Sequence, residues 1–271
     1  MLKSVPSSEY NREYFQGRYQ NLSEEMLKDI SRFERSHQKA SSMIELGEDD
    51  TVVDLGCGTG QMPIFLYLKF SCNVIGIDYS EDAIRICEEN KEKIVKKDSD
   101  STKKIQFYRY DNDYLPEFHD IKAVFLIDVV EHLYDNELDL VLEKIKRWGK
   151  EIKIIVHTDN NYYLKYIRPM FDLLAVFLGR TTYRKLNEGH AEVSKRHVNL
   201  TNANRLKKKL ALYGFEILRI DYPPINTAAI KDQLGSIADH RIVLYPILFL
   251  GKIFYFLRPS FYMLAEYRDS I

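Results

Sequence analysis

"VVDLGCGTGQ", Val52 to Gln61, joins an apolar run to a glycine-rich turn, with an acid, Asp54, just before the turn. Gly56, Gly58 and Gly60 stand at alternate positions. The run "DTVVDLG" predicts a short buried strand and Gly60 to Lys69 a helix, so the glycines occupy a strand-to-helix turn. Lacking Cβ atoms, that turn can fold tightly and let a ligand lie against its main chain. The helix start behind it offers unpaired N–H groups. "CNVIGIDYS" follows as a second strand ending at Asp78, 18 residues after Gly60. A carboxylate there is placed to accept hydrogen bonds from both hydroxyls of a ribose.

The alternation continues downstream. "SEDAIRICEENKEKI" opens with Ser80 and acids, a helix start. "KIQFYRYDND", "IKAVFLIDVV" and "EIKIIVHTDN" read as strands three to five, with the helix "ELDLVLEKIKRWGK" before the fifth. "NANRLKKKLALYGFEILRIDYPP" reads as a helix stopped at Gly214 and a sixth strand, and "SFYMLAEYRD" as the last. Strands alternating with helices predict an α/β fold whose parallel sheet is covered on both faces. Residues 1–48 read as a helical, largely polar N-terminal cap, in which the spacing of Tyr10, Tyr14, Phe15 and Tyr19 suits a partly buried face. Residues 49–271 form the sheet domain, with insertions at about 161–200 and 223–259. The first insertion begins with "NYYLKYIRPMFDLLAVFLGR", an apolar helical stretch with a proline kink, and continues as a polar loop through His190.

Composition narrows the function classes. A chain of 271 residues, 45% of them apolar, can bury one large core. Basic and acidic residues nearly balance, 39 against 40, so no broad basic surface advertises nucleic acid. Cys57, Cys72 and Cys87 lack metal-ligand spacing, and an odd count suits a reducing, cytoplasmic setting. "MLKSVPSSEYNREYF" has no apolar core of the signal-peptide kind. "IVLYPILFLGKIFYFLRPSFYML", Ile242 to Leu264, is broken by Pro246, Lys252, Arg258 and Pro259, short of the roughly 20 consecutive apolar residues of a spanning helix. Peripheral contact with the inner membrane face is the one membrane association this allows.

A dinucleotide turn has the spacing G-x-G-x-x-G; here it is G-x-G-x-G, with Gln61 where the last glycine would fall. Asp54 is a poor neighbour for a pyrophosphate and a natural partner for an ammonium group. Ribose plus an amino-acid tail describes S-adenosylmethionine. "VVDLGCGTG", "VIGIDYSEDAI", "YDNDYLP" and "FLIDVVEHL", in that order, resemble the first four motifs of class I S-adenosylmethionine-dependent methyltransferases. "RHVNLTNANRLKKKLALYGFEI" resembles a later segment of the same superfamily, so the likeness spans roughly residues 50–222. It implies a Rossmann-like, doubly wound sheet of seven strands, mostly parallel with an antiparallel last strand, and helical lid insertions. It also implies methyl transfer, with S-adenosylhomocysteine as product. By position it puts Asp54 and Gly56 near the methionine moiety and Gly58 beside the cofactor. Cys57 and Gly60 share that turn, Cys57 as a small filler between glycines. Asp78 and Tyr79 fall at the ribose, Asp111 and Asn112 near the adenine amino group, and Ile127 joins the cofactor contacts.

Two carboxylates and two imidazoles gather at the end of the fourth strand and later: Asp128, Glu131 and His132 in "IDVVEHL", and His197 in "KRHVNLT". The set is similar to the metal-bearing subset of the superfamily, which includes O-methyltransferases of ubiquinone biosynthesis and 2′-O-methyltransferases of small-RNA 3′ ends. That likeness implies Mg²⁺ or another divalent ion on Asp128, Glu131, His132 and His197. The chain departs from the subset at Asp128, where Glu is common. The alternative is that Glu131 and His132 make rim hydrogen bonds, as in metal-free relatives with the same E-H-L. Either way, His132, His197 and His157 are the general-base candidates, since imidazole titrates near working pH.

Two aromatic-rich stretches, 162–180 and 241–257, flank the expected mouth, with Lys165, Arg168, Arg180, Lys252 and Arg258 at their polar boundary. They either pack on the sheet or a partner subunit, or form a greasy pocket and interfacial surface. The second option points to O-methylation of a small lipophilic or lipid- or sugar-linked hydroxyl acceptor, with membrane contact at the periphery. The alternatives are a metal-dependent RNA 2′-O-methyltransferase, which the charge balance disfavours, and a non-catalytic cofactor-binding partner subunit. An oligomer is compatible with each.

Overall fold

Seven strands form one sheet in the order β3-β2-β1-β4-β5-β7-β6. They are β1 (Thr51–Leu55), β2 (Asn73–Asp78), β3 (Ile105–Arg109), β4 (Ile121–Ile127), β5 (Glu151–Asp159), β6 (Phe215–Asp221) and β7 (Ser260–Arg268). The first five run parallel; β7 inserts antiparallel between β5 and β6. This computed structural model describes residues 4–18, 21–96, 98–110, 115–224, 227, 230, 245, 248, 249 and 251–269.

The helices are α1 (Arg12–Arg18), α2 (Glu24–Lys28), α3 (Arg35–Ser41), α4 (Gln61–Phe70), α5 (Glu81–Val95), α6 (Ser101–Lys104), α7 (Asp135–Ile145), α8 (Arg168–Phe177), α9 (Tyr183–Arg196) and α10 (Ala203–Leu212). Alternate strand residues serve two cores. Val52, Phe125, Ile155 and Leu264 join Ala40 of α3 and Phe65 of α4 on one face. Val53, Val124, Ile154 and Met263 join Leu142 of α7, Trp148 and Leu206 of α10 on the other. Strands covered on both sides need apolar side chains at every position, hence the unbroken apolar runs in the sequence. Ser80 caps α5 by accepting from the Ala83 N–H at 3.2 Å, a bond of about 1 kcal/mol. The same hydroxyl donates to the Tyr10 carbonyl at 2.6 Å. Arg12 forks onto Glu89 of α5 at 2.9 and 2.6 Å, so the N-terminal segment is strapped along that helix.

The chain from 161 is helical through Phe177, as expected of the first insertion, but the loop expected after it is not a loop. A π-helical turn, Tyr163–Ile167, precedes α8, and Pro169 sits in the first turn of α8, where its missing N–H breaks no helix bond. The expected polar loop is instead helix α9. Thr182 caps it by accepting from Lys185 N, and Arg184–Glu188 and Arg196–Glu192 pair one turn apart. Most of 223–259 falls outside the described residues. What is described there is tied down by Arg258, which donates to the carbonyls of Gly251 at 2.9 Å and Tyr222 at 2.7 Å. Among the described residues no helix is long and apolar enough to cross a membrane.

Candidate active site

The glycine turn closes over the end of β2. Gly56, at φ 75°, donates to the Ile77 carbonyl at 2.8 Å, and Gly58 donates to Asp78 Oδ2 at 3.0 Å. A Cβ on Gly56 would stand 2.6 Å from Val129 Cγ2, so no other residue fits there without moving the chain after β4. Asp78 Oδ1 accepts from Ser80 N at 2.8 Å. Burial pushes the Asp78 carboxyl up to about 6, against the pull of the N–H groups of Ser80 and Gly58.

Gly56, Gly58, Asp78 and Tyr79 line one cavity together with Tyr110, Asp128, Val129, His132, Leu133 and Glu137. Val5, Tyr10, Tyr14 and Phe15 close it from the N-terminal segment. The donor set suits an adenosyl ligand. The Asp78 carboxylate accepts from the N–H groups of Gly58, Ser80 and Tyr79 and keeps acceptor capacity for a ribose hydroxyl. Gly58 leaves room beside the main chain up to the Phe15 ring, and Tyr79 and Tyr110 stand as neighbouring aromatic walls with centroids 6.1 Å apart.

The other expected cofactor residues sit differently. Asp54 is buried at the end of β1, its carboxyl raised first by burial and then by Asp78, and it does not line the cavity. Cys57 turns toward Cys87, sulfur to sulfur 3.8 Å, and burial raises its thiol; it is packing material. Gly60, at φ 76°, starts α4 against Phe107 and Cys87. Ile127 packs against the core beneath α3 and α4. Asp111, Asn112 and Tyr19 lie outside the described residues.

Past the cavity, the strand ends carry two polar clusters. Asp128 leaves β4 with φ 57° and places Oδ1 2.7 Å from His157 Nδ1, and the His157 ring stacks on Tyr262 at 4.3 Å. Desolvation opposes the charge on both partners, but each outweighs it for the other. The Asp128 carboxyl is held below its usual value and the His157 imidazolium persists above its own. Glu34 and His37, from the N-terminal cap, feel this pair. His37 Nδ1 is buried without a hydrogen bond, and burial pushes its imidazole down to about 4.

In the second cluster, buried Glu131 accepts from Thr158 Oγ1 at 2.7 Å, and its main-chain carbonyl accepts from Asn199 N at 3.0 Å. Its carboxyl is raised by burial and then by the charges of Asp128 and Asp159. His132 Nδ1 stands 2.8 Å from the Tyr10 hydroxyl and 3.2 Å from the Arg196 carbonyl. His197 meets the His132 ring edge-on at 4.7 Å, with Nδ1 3.6 Å from Asp159.

The expected metal set does not assemble. Asp128 is engaged by His157, Glu131 by Thr158, and among the described residues no group of three His, Cys, Asp or Glu side chains is arranged to hold an ion. Of the three general-base candidates, His132 lines the cavity; His157 and His197 are not among its lining residues. The sequence reading missed the hydroxyl of Tyr10, the carbonyl of Arg196, Tyr110 and the Glu34–His37 pair. Only Tyr10 left a signal, in the aromatic spacing of the cap.

A family model described as a methyltransferase domain matches residues 46–217. The chain belongs to this methyltransferase family. Probable (S)-tetrahydroprotoberberine N-methyltransferase 2 of Papaver bracteatum is 24% identical over 124 residues, 45% of this chain and 32% of that protein. Probable protein arginine N-methyltransferase 6 of Arabidopsis thaliana is 27% identical over 162 residues, 59% of this chain and 36% of that protein. The chain thus spans about a third of the length of either relative. Among solved structures, the cyclopropane synthase MmaA2 from Mycobacterium tuberculosis has a TM-score of 0.60 at 13% identity, covering 98% of this chain and 99% of that one. That likeness shows a shared fold. The Rossmann-like sheet is the fold of this methyltransferase family, and the cavity beneath the glycine turn is lined by Gly56, Gly58 and Asp78.

Proposed function

We propose that this methyltransferase methylates a hydroxyl of a small lipophilic or lipid- or sugar-linked acceptor, such as a prenylated ring or a polyprenyl-linked sugar, with His132 as general base. The observation that carries the base is the environment of its Nδ1. The Arg196 carbonyl can only accept, so it favours the tautomer with the proton on Nδ1, shared toward the Tyr10 oxygen. Nε2 is then the basic nitrogen, on a residue that borders the cofactor cavity.

S-adenosylmethionine supplies a methyl group on a sulfonium whose thioether is a good leaving group. What remains for the protein is to aim an oxygen, exclude water and accept a proton. Asp78 and the glycine turn hold the adenosyl part. Tyr10, Tyr14 and Phe15 shield the cavity from the N-terminal side. His132 takes the hydroxyl proton as the new C–O bond forms, with Tyr10 fixing its ring. For the acceptor class, support comes from the aromatics at the far end of β5 and β6, where Tyr222 meets Tyr255 edge-on at 5.4 Å.

The test is methyl transfer from labelled S-adenosylmethionine into cell extract, partitioned into organic, small aqueous and macromolecular fractions. Label in the organic phase is expected; label confined to the other fractions would remove the lipophilic acceptor. On the identified acceptor, His132→Gln should lower kcat by about 10²–10⁴ while cofactor affinity measured by calorimetry holds within about threefold. An unchanged kcat would take His132 out of the chemistry.

A further inference from the structure

α8 wears its apolar stripe outward. Tyr166, Met170, Leu173, Leu174 and Phe177 follow one another at helical spacing, and all five are exposed, Leu173 to 72% and Phe177 to 85%. Single exposed apolar residues are ordinary, but a continuous stripe of large ones marks a contact surface. The C-terminal insertion repeats the pattern: Tyr245, Phe249 and Ile253 are spaced by four and exposed, and Phe254, Tyr255 and Phe256 are exposed beside them.

The two stretches leave the sheet at one point. Buried Asn160, at the end of β5, donates through Nδ2 to the carbonyls of Phe256 at 2.7 Å and Arg258 at 2.8 Å. Its Oδ1 accepts from Tyr162 N at 3.1 Å, at the start of the segment leading to α8. Both apolar stretches therefore issue from the strand ends that carry the candidate chemistry.

Their charge is one-sided in a chain that is otherwise balanced. Residues 161–186 contain Lys165, Arg168, Arg180, Arg184 and Lys185 against Asp172, with Arg184 paired to Glu188 one turn on, and residues 245–258 contain Lys252 and Arg258 with no acid. Asp172 is already matched by Arg168 at 3.8 Å and His190 at 3.2 Å. Large apolar side chains beside unbalanced Lys and Arg are complementary to an anionic bilayer, with carbon at the acyl boundary and cations at the phosphates. We infer that this methyltransferase lies on anionic membranes through α8 and the 245–258 stretch, with its acceptor mouth at the lipid surface. The inference deepens the proposed function and rests on it for the lipophilic acceptor.

The experiment is co-sedimentation of the full chain with phosphatidylcholine vesicles, with and without phosphatidylglycerol. Binding to the anionic vesicles is expected, weakening as salt rises. The double variant Leu173→Asp, Phe177→Asp should lower that partitioning by at least about tenfold, while its affinity for S-adenosylhomocysteine, read by calorimetry, stays at the parent value. Neither residue lines the cofactor cavity. Absence of pelleting with either vesicle, or equal pelleting of parent and double variant, would overturn the inference. So would light scattering that shows self-association, lost in the double variant, without vesicle binding; the stripe would then be an interface between copies. Vesicle binding together with label confined to the aqueous fractions would leave this surface standing and remove the lipophilic acceptor instead.

Discussion

Asp78 connects burial, pH and cofactor affinity in one side chain. Its folded value of about 6 lies above the ordinary carboxylate value, so ionisation is what the fold resists. Its contribution to stability is fully present below that ordinary value and is lost as pH rises through about 6. Ribose hydroxyls act in the opposite direction, because they donate to the carboxylate and stabilise its charge. Affinity for S-adenosylhomocysteine should therefore fall as pH drops below about 6, by about tenfold for each further unit, as the binding-competent fraction shrinks. A calorimetric profile that stays flat from about pH 7.5 to about pH 5 would separate Asp78 from the ribose. Asp78→Ala should cost at least about tenfold in affinity, since a charged acceptor is worth about 1.5–3 kcal/mol per bond. Gly60 supplies a stability counterpart: a Cβ there would stand 2.9 Å from the Phe107 ring and 3.0 Å from Cys87 Sγ, at φ 76°. Gly60→Ala should lose about 1–3 kcal/mol in a denaturant melt, and a melt matching the parent would mean that Phe107 yields freely. Asp78 and the glycines were legible in the sequence because their turn is local. Tyr10 was not assignable, because it reaches His132 across 122 positions.

At the scale of elements, strands could be read wherever both of their faces are covered, since burial on both sides leaves an unbroken apolar run. α9 could not. Tyr183–Arg196 has no buried residue and only a sparse apolar face, Tyr183, Leu186 and Val193, among many charged positions; its cap and ion pairs hold it instead. The end of β5 is a third case. Asn160 reads in the sequence as one more polar residue in "HTDN", yet it holds three main-chain groups from the two insertions. Asn160→Asp would aim carboxylate oxygens at the carbonyls of Phe256 and Arg258, where only a donor fits. The expected loss is about 2–4 kcal/mol, more than for Asn160→Ala, which removes the bonds without adding repulsion. Equal losses for the two variants would show that water replaces the donor. For the expected metal, no group of three ligating side chains is arranged to hold an ion among the described residues, and the left-handed turn at Asp128 brings its carboxyl beside His157.

Across the whole molecule, the proposed cofactor cavity is shared between two parts of the chain that the sequence presents separately. The sheet domain supplies its floor, and residues 5–15 supply Val5, Tyr10, Tyr14 and Phe15 as its cover. That cover is held by side-chain contacts, among them Ser80 to the Tyr10 carbonyl, Arg12 to Glu89, Asp82 to the Arg12 N–H, Tyr10 to His132, and Arg196 to Glu9 and the Tyr14 ring. The Arg12–Glu89 pair is half exposed, and exposed pairs of this kind contribute little. A segment attached mainly through side chains opens at a lower free energy than global unfolding, while the strands beneath it open only with the whole domain. Ligand in the cavity adds contacts to the closed form alone, so it must shift that local equilibrium by its differential affinity. Hydrogen exchange should show it: amides of residues 8–18 gain protection when S-adenosylhomocysteine is added, and those of β1 and β4 stay as slow as before. Equal exchange of the segment with and without ligand would mean that it is a fixed wall, and that the cofactor enters from the side of Leu133 and Glu137 instead.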